Sequence, residues 1–347
     1  MSRNEDWIKL TNEAPIEPDL PICDPHHHLW DDPDSVPENR IRESHRHVRH
    51  YLLQGLLDDI ESGHNIVKTV FMECRSMYRK EGSPALRPIG ETEFVQGIAA
   101  QSYSGQYGET EVAAGIVGFA DLTLGSAVAP VLEAHIAASK NRFRGIRFTT
   151  TWDASPDIDS RMNSPKIMTE SQFREGFSYL HKYNLSFDSW LYHTQLSDLA
   201  NLAESFPETS IILNHVGGPL GIGPYAGKRD EVFQSWKQGI TDLSACSNVS
   251  VKLGGLGMRL NNFSFNERSN PPGSVEVAKL LEPYFTWCIE KFGTQRCMFE
   301  SNFPVDRISY SYTVIWNAFK RITKNFSPSE RSALFHDTAV RVYRLAT

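Results

Sequence analysis

The chain has 347 residues, with 35 Lys+Arg against 42 Asp+Glu for a formal net charge of −7, and is 40% hydrophobic and 22% charged. This composition supplies a large core and excludes wholesale disorder or a coiled rod, while the acidic balance without a long Lys/Arg block argues against a nucleic-acid or anionic-membrane surface. The N-terminus MSRNEDWIKL lacks an apolar segment of signal-peptide length and no run of about 18 apolar residues follows, so a cytoplasmic protein is expected. Cys23, Cys74, Cys246, Cys288 and Cys297 are scattered without a CxxC pair, which points to reduced, mostly buried thiols.

Eight short apolar or β-branched runs are expected as strands, at 22–28, 66–73, 113–120, 143–150, 185–192, 210–216, 249–254 and 297–303, and helix-like sequence follows each. The second and sixth runs are nearly continuous apolar stretches, as for strands buried on both faces. After the first run, Leu52, Leu53, Leu56, Leu57 and Ile60 recur at three- and four-residue intervals, with Gly63 as the stop. Further helices are predicted near 91–102, 126–139, 169–183, 195–205, 229–245, 275–292 and 310–324. A ninth, from about 328 to 345, opens on Ser327-Pro328-Ser329-Glu330. Eight strand–helix pairs without a composition break predict an α/β fold: one (β/α)8 TIM-type barrel over residues 1–347, with 1–20 as an N-terminal extension and the ninth helix as an addition. Polar connections at 29–51 and 258–274 would extend the C-terminal face, where barrel enzymes place binding loops. The glycines of 217–221 and 254–257 have the spacing of tight turns, not of a dinucleotide or phosphate loop.

The residues able to do chemistry gather at strand ends. Asp24-Pro25-His26-His27-His28-Leu29-Trp30 ends the first strand, and alternation puts His26 and His28 on one face with His27 on the other. Neutral imidazoles at a barrel mouth ligate zinc or iron, or polarise an oxygen-rich substrate; the competing reading is a set of hydrogen-bonded structural histidines. His215, in Asn214-His215-Val216-Gly217-Gly218-Pro219, closes the sixth strand and can join the first two. His193 ends the fifth strand, where parity groups Asp188, Trp190 and Tyr192 against Ser189, Leu191 and His193, with the inward face left open.

Arg147 and Lys252, on the fourth and seventh strands, are candidates either to bind an anionic group or to form structural ion pairs. Glu73, Arg75 and Tyr78, beyond the second strand, are candidates to line the pocket with Trp190. The basic, histidine-rich stretch 42–50 reads as a solvated lead into a helix. On the eighth strand Glu300 and Asn302 are expected to share a face, with Asn302 nearer the mouth. An amide orients water but does not take its proton, so the base is sought among Glu300, Asp306, Glu73 and Asp188.

Taken together, the Asp24–Trp30 segment, the Asn214–Pro219 segment and Phe299-Glu300-Ser301-Asn302-Phe303-Pro304 resemble the amidohydrolase-related family, and more narrowly its branch of 2-pyrone-4,6-dicarboxylate and sugar lactonases. The resemblance runs from about residue 20 to the C-terminus. It implies a barrel hydrolase in which His26, His28 and His215 carry over. In metal-dependent members such histidines hold a divalent ion that activates water; in the lactonase branch histidines and arginines can polarise the carbonyl without one. The expectation here is that no cofactor is required, with zinc or manganese on His26, His28, His193 and His215 as the alternative. The family's eighth-strand aspartate is Asn302 in this sequence, which removes the usual anionic ligand and base and leaves Glu300 or Asp306 as substitutes. The expected activity is hydrolysis of a lactone or cyclic ester of a small organic acid. A metal-dependent decarboxylase or C–C lyase and a non-catalytic small-acid-binding barrel are the competing readings. A small anionic substrate and a homodimer are the partners expected, with neither nucleic acid nor membrane.

Overall fold

The computed structural model describes residues 3–37, 39, 41–42 and 45–346; Glu43 and Ser44 of the basic stretch lie outside the described residues, as do Met1 and Ser2 of the N-terminal extension. Eight parallel strands pair in chain order: β1 (Ile22–His27), β2 (Ile66–Met72), β3 (Glu111–Gly118), β4 (Phe143–Thr149), β5 (Ser186–Trp190), β6 (Ile211–Leu213), β7 (Val249–Leu253) and β8 (Cys297–Phe299). A bridge between His27 and Phe303, with the His28 amide donating to the Phe303 carbonyl at 2.8 Å, closes the barrel between β1 and the chain beyond β8. Asp24 ties the same seam: it accepts from the Ser301 amide (3.0 Å), the Ser301 hydroxyl (2.5 Å) and the Tyr312 hydroxyl (2.9 Å).

The outer ring is α1 (Leu53–Ile60), α2 (Ile89–Tyr103), α3 (Ala129–Ala138), α4 (Ser171–Lys182), α5 (Leu196–Ser205), α6 (Arg229–Ser244), α7 (Ser274–Phe292) and α8 (Tyr312–Ile322). The first shows why the pattern works: Leu53, Leu56, Leu57 and Ile60 are buried at helical spacing, and Gly63 turns the chain at φ +113° before β2. Among the described residues, no helix is long and apolar enough to cross a membrane. All five cysteines are free and buried.

Two strands stop well short of their apolar runs, the others ending within two residues of theirs. β6 ends at Leu213 and β8 at Phe299, because His215 (φ 54°), Val216 (φ 48°) and Asn302 (φ 55°) take left-handed backbone conformations. Such conformations are costly for non-glycine residues, most of all for β-branched valine, and persist only where the surroundings impose them. Period-two parity therefore fails beyond Phe299, and Glu300 and Asn302 do not share a strand face as expected.

The predicted ninth helix is three pieces: α9 (Pro328–Ser332), a π-turn at Ala333–Asp337 and α10 (Thr338–Val342). A capping box starts it, the Ser327 hydroxyl accepting from the Glu330 amide (3.3 Å) and the Ser327 amide donating to the Glu330 carboxylate (2.8 Å). Ser327→Ala is expected to cost about 1 kcal/mol in urea unfolding, because one of these two bonds survives. The segment plugs the N-terminal end of the barrel. Val340, Val342, Tyr343 and Leu345 pack on Cys23, Val70, Met72, Ala114, Ile212 and Met298 from the strand interiors. The Arg344 guanidinium meanwhile donates to the Arg144 and Asn184 carbonyls at the starts of β4 and β5.

Candidate active site

At the opposite end of the barrel, the C-terminal ends of β1, β2, β4, β6, β7 and β8 bring three imidazoles, two cations and the carboxylates of Glu73 and Glu300 together. His26 and His28 share a face of β1 with their Nε2 atoms 3.3 Å apart, while His27 turns away to the Thr69 hydroxyl (2.9 Å) and the Phe71 ring. The His28 Nδ1 lies 2.8 Å from the Met72 carbonyl, which only an N–H can satisfy, so Nε2 carries the lone pair.

His26 meets a donor and an acceptor at each nitrogen. At Nδ1, Lys252 Nζ stands at 3.3 Å and Glu300 Oε2 at 2.7 Å; at Nε2, an Arg147 N–H group and His28 Nε2 are each at 3.3 Å. Glu300 Oε2 lies off the line of an ideal hydrogen bond and has no hydrogen-bond partner among the described residues. Either tautomer of His26 is thus accommodated. Burial first, then the charge of Lys252, holds His26 well below the usual histidine range, so the ring is neutral near neutral pH.

His215 follows β6 on the left-handed turn that aims its ring at Glu300. Its backbone N–H (3.1 Å) and Nδ1 (2.6 Å) both face Glu300 Oε1. Burial lowers its pKa and Glu300 opposes the shift. Two glycines make room for this pair: a Cβ on Gly254 would stand 2.4 Å from Glu300 Cγ, and one on Gly255 2.2 Å from His215 Nδ1. Gly254-Gly255 has the spacing of a turn in the sequence, and in the fold it allows close approach. The Trp190 ring sits edge-on to His215 at 4.7 Å.

The inward face of β5 is the one carrying Asp188 and Trp190. Asp188 Oδ1 accepts from Asn214 Nδ2 (2.9 Å) and the Tyr343 hydroxyl (2.7 Å) and forms an ion pair with Lys252 Nζ at 3.0 Å. Lys252 is fully buried beneath His26, an ion pair under the cluster. His193 stands apart, in a turn after β5, with Nδ1 accepting from the Leu220 amide (3.4 Å) and its ring against Tyr225. Arg147 Nε donates to Glu73 Oε1 at 3.0 Å and a second guanidinium nitrogen to the Glu73 carbonyl, which leaves one N–H group toward His26. Glu91, absent from the sequence reading, accepts from the Cys74 (3.0 Å) and Ser76 (2.7 Å) amides and so fixes the turn carrying Glu73. Arg75 is exposed, and Tyr78 is half-buried with its hydroxyl unpartnered among the described residues.

Asn302 turns away from the strand line and donates from Nδ2 to Asp306 Oδ1 (2.8 Å). The other Asp306 oxygen accepts from the Gly257 amide (3.0 Å) and the Tyr310 hydroxyl (2.8 Å). Burial pushes Asp306 up to about 7 despite these donors. With both oxygens already accepting hydrogen bonds and no exposure, Asp306 is poorly placed to accept a proton from water.

A family model for amidohydrolases matches residues 23–345, nearly the whole chain. The chain belongs to the amidohydrolase family. The uncharacterized protein y4mH of Sinorhizobium fredii is 35% identical over 335 residues, 94% of this chain and 99% of that protein. The L-fucono-1,5-lactonase of Burkholderia multivorans is 24% identical over 257 residues, 74% of this chain and 77% of that enzyme. Among solved structures, a zinc-bound amidohydrolase of Burkholderia multivorans superposes with a TM-score of 0.70 at 22% identity, covering 94% of this chain and 99% of that one.

Within this amidohydrolase, His26, His215 and Glu300 are the described residues whose ligand atoms lie within 4.8 Å of one another. Contacts of 2.6 and 2.7 Å already join Glu300 to both Nδ1 atoms, so the face suited to an ion is the opposite, Nε2 face. There the 3.3 Å between His26 and His28 Nε2 matches the edge of a tetrahedron with Zn–N bonds of about 2.0–2.1 Å. The donor set therefore fits a divalent ion, with Glu300 and the Met72 carbonyl orienting the ligands from behind.

Proposed function

We propose that this amidohydrolase hydrolyses a lactone or related cyclic ester of a small organic acid. The observation that carries the reading is the Glu300-backed imidazole cluster at the strand ends, in which Nδ1 contacts aim the Nε2 atoms of His28 and His215 into the mouth. The likeness to L-fucono-1,5-lactonase supports the substrate class. A divalent ion, when bound to His26 and His28, polarises a carbonyl oxygen and acidifies water.

The chain's own residues supply the rest. Neutral His215 accepts the proton of the attacking water at Nε2, and Glu300 stabilises the imidazolium through Nδ1–H. The hydroxyl oxygen of that water bonds to the carbonyl carbon, the ring C–O bond breaks, and the proton passes from His215 to the leaving alkoxide, giving the hydroxy acid. The Arg147 guanidinium, held by Glu73, faces the developing oxyanion. The glutamate–histidine pair thus replaces the base that Asn302 cannot be.

The test is acid release in a pH-stat from L-fucono-1,5-lactone, other sugar lactones and 2-pyrone-4,6-dicarboxylate, with protein as purified and after addition of zinc or manganese. Hydrolysis of at least one, well above the uncatalysed rate, is expected. No turnover of any lactone, together with carbon dioxide release from aromatic carboxylic acids, would replace this reading with a decarboxylase.

A further inference from the structure

The plug at the far end of the barrel reaches the histidine cluster through an unbroken buried column. Tyr343 follows α10, is fully buried, and donates its hydroxyl to Asp188 Oδ1 at 2.7 Å. The same oxygen forms an ion pair with Lys252 Nζ at 3.0 Å, the Lys252 ammonium lies 5.2 Å from the Tyr343 ring centroid, and Lys252 stands 3.3 Å from His26 Nδ1. Among the described residues the second Asp188 oxygen has no hydrogen-bond partner, so Tyr343, Asn214 and Lys252 all act on one atom.

We propose that Tyr343 is a positioning residue for His26, acting through Asp188 and Lys252. The ammonium stands between Asp188, its ion-pair partner, and His26 Nδ1. Each donor that Asp188 already satisfies weakens its pull on Lys252 and leaves more of that cation for His26 Nδ1. Lys252 and Glu300 compete for this nitrogen, the one as donor and the other as acceptor, so the placement of Lys252 biases which His26 nitrogen carries the proton. Removing the phenol hydroxyl strengthens the Asp188–Lys252 pair, draws Lys252 away, and shifts His26 toward the Nδ1–H form facing Glu300. The proposal rests on His26 belonging to the reacting cluster and not on which lactone is hydrolysed.

Tyr343→Phe keeps the ring under Lys252 and removes only the hydroxyl. In protein labelled with 15N-histidine, the His26 ring signals, assigned by their loss in His26→Asn, are expected to move, Nδ1 toward the protonated range and Nε2 toward the unprotonated range. His135, buried far from the column against Thr92 and the Phe119 carbonyl, is expected to stay in place as the internal control. Unchanged His26 signals in folded Tyr343→Phe overturn the proposal even if lactone hydrolysis is established. Conversely, a moved His26 signal upholds it even if no lactone is turned over. Asp188→Asn provides the second variant: it should move the His26 signals, and combining it with Tyr343→Phe should add little, whereas additive shifts overturn the column.

Discussion

Replacing Glu300 by Gln is expected to lower kcat by roughly 10²- to 10⁴-fold in a protein that still folds. The glutamine carbonyl can take the place of Oε1, accepting from the His215 amide and Nδ1 as Glu300 does at 3.1 and 2.6 Å. Its NH2 group then occupies the Oε2 position, 2.7 Å from His26 Nδ1 where Lys252 Nζ already approaches to 3.3 Å. Two donors then face one lone pair, and one buried donor left unsatisfied costs about 1–3 kcal/mol. The larger effect is electrostatic, because a neutral amide does not stabilise the imidazolium that His215 becomes when it takes a proton from water. Glu300→Asp keeps the charge on a shorter arm and should fall between the two. Steady-state kinetics with circular dichroism as the folding control decides it: kcat within about twofold of the parent would place the base elsewhere.

How far the sequence exposes this site depends on how local each piece is. The barrel follows from alternating strand and helix periods, and the pairing of His26 with His28 from the two-residue repeat of β1, because both are set by neighbours in the chain. Beyond Phe299 the same repeat misleads: a left-handed turn at Asn302 breaks the alternation, and nothing in the residue types before it signals the turn. The inward face of β5 was undecidable from parity alone, and Lys252 settles it by needing Asp188. Tyr343 carries a signal of its own in the sequence. A tyrosine among Ala339, Val340, Val342 and Leu345 puts a hydroxyl into an apolar plug, and a buried hydroxyl requires a partner. Its partner is 155 residues away in the chain, a distance that only the closed barrel brings together.

Exchanging the side chains at 302 and 306 should give a folded protein, whereas Asn302→Asp alone should not be tolerated as well. In the parent, Asn302 Nδ2 donates to Asp306 Oδ1 at 2.8 Å, while Gly257 and Tyr310 donate to the other Asp306 oxygen. With Asn at 306, its carbonyl can accept from Gly257 and Tyr310 and its NH2 group can donate to Asp at 302, so each bond survives and only one is reversed in sense. The single Asn302→Asp substitution instead sets two buried carboxylates against each other at about hydrogen-bond distance, and they must share a proton. We expect the exchange variant to lie within about 1 kcal/mol of the parent in urea unfolding and the single variant to be destabilised by roughly 2–4 kcal/mol. The exchange also returns a carboxylate to the position that holds aspartate in the resembling family, on a residue whose backbone amide donates to the His26 carbonyl at 3.0 Å. Zinc affinity, measured by competition with a chromophoric chelator, should therefore rise by about tenfold or more in the exchange variant. If the single variant matches the exchange in both stability and zinc affinity, Asp306 plays no part in setting residue 302, and the shift of charge from 302 to 306 is incidental to the site.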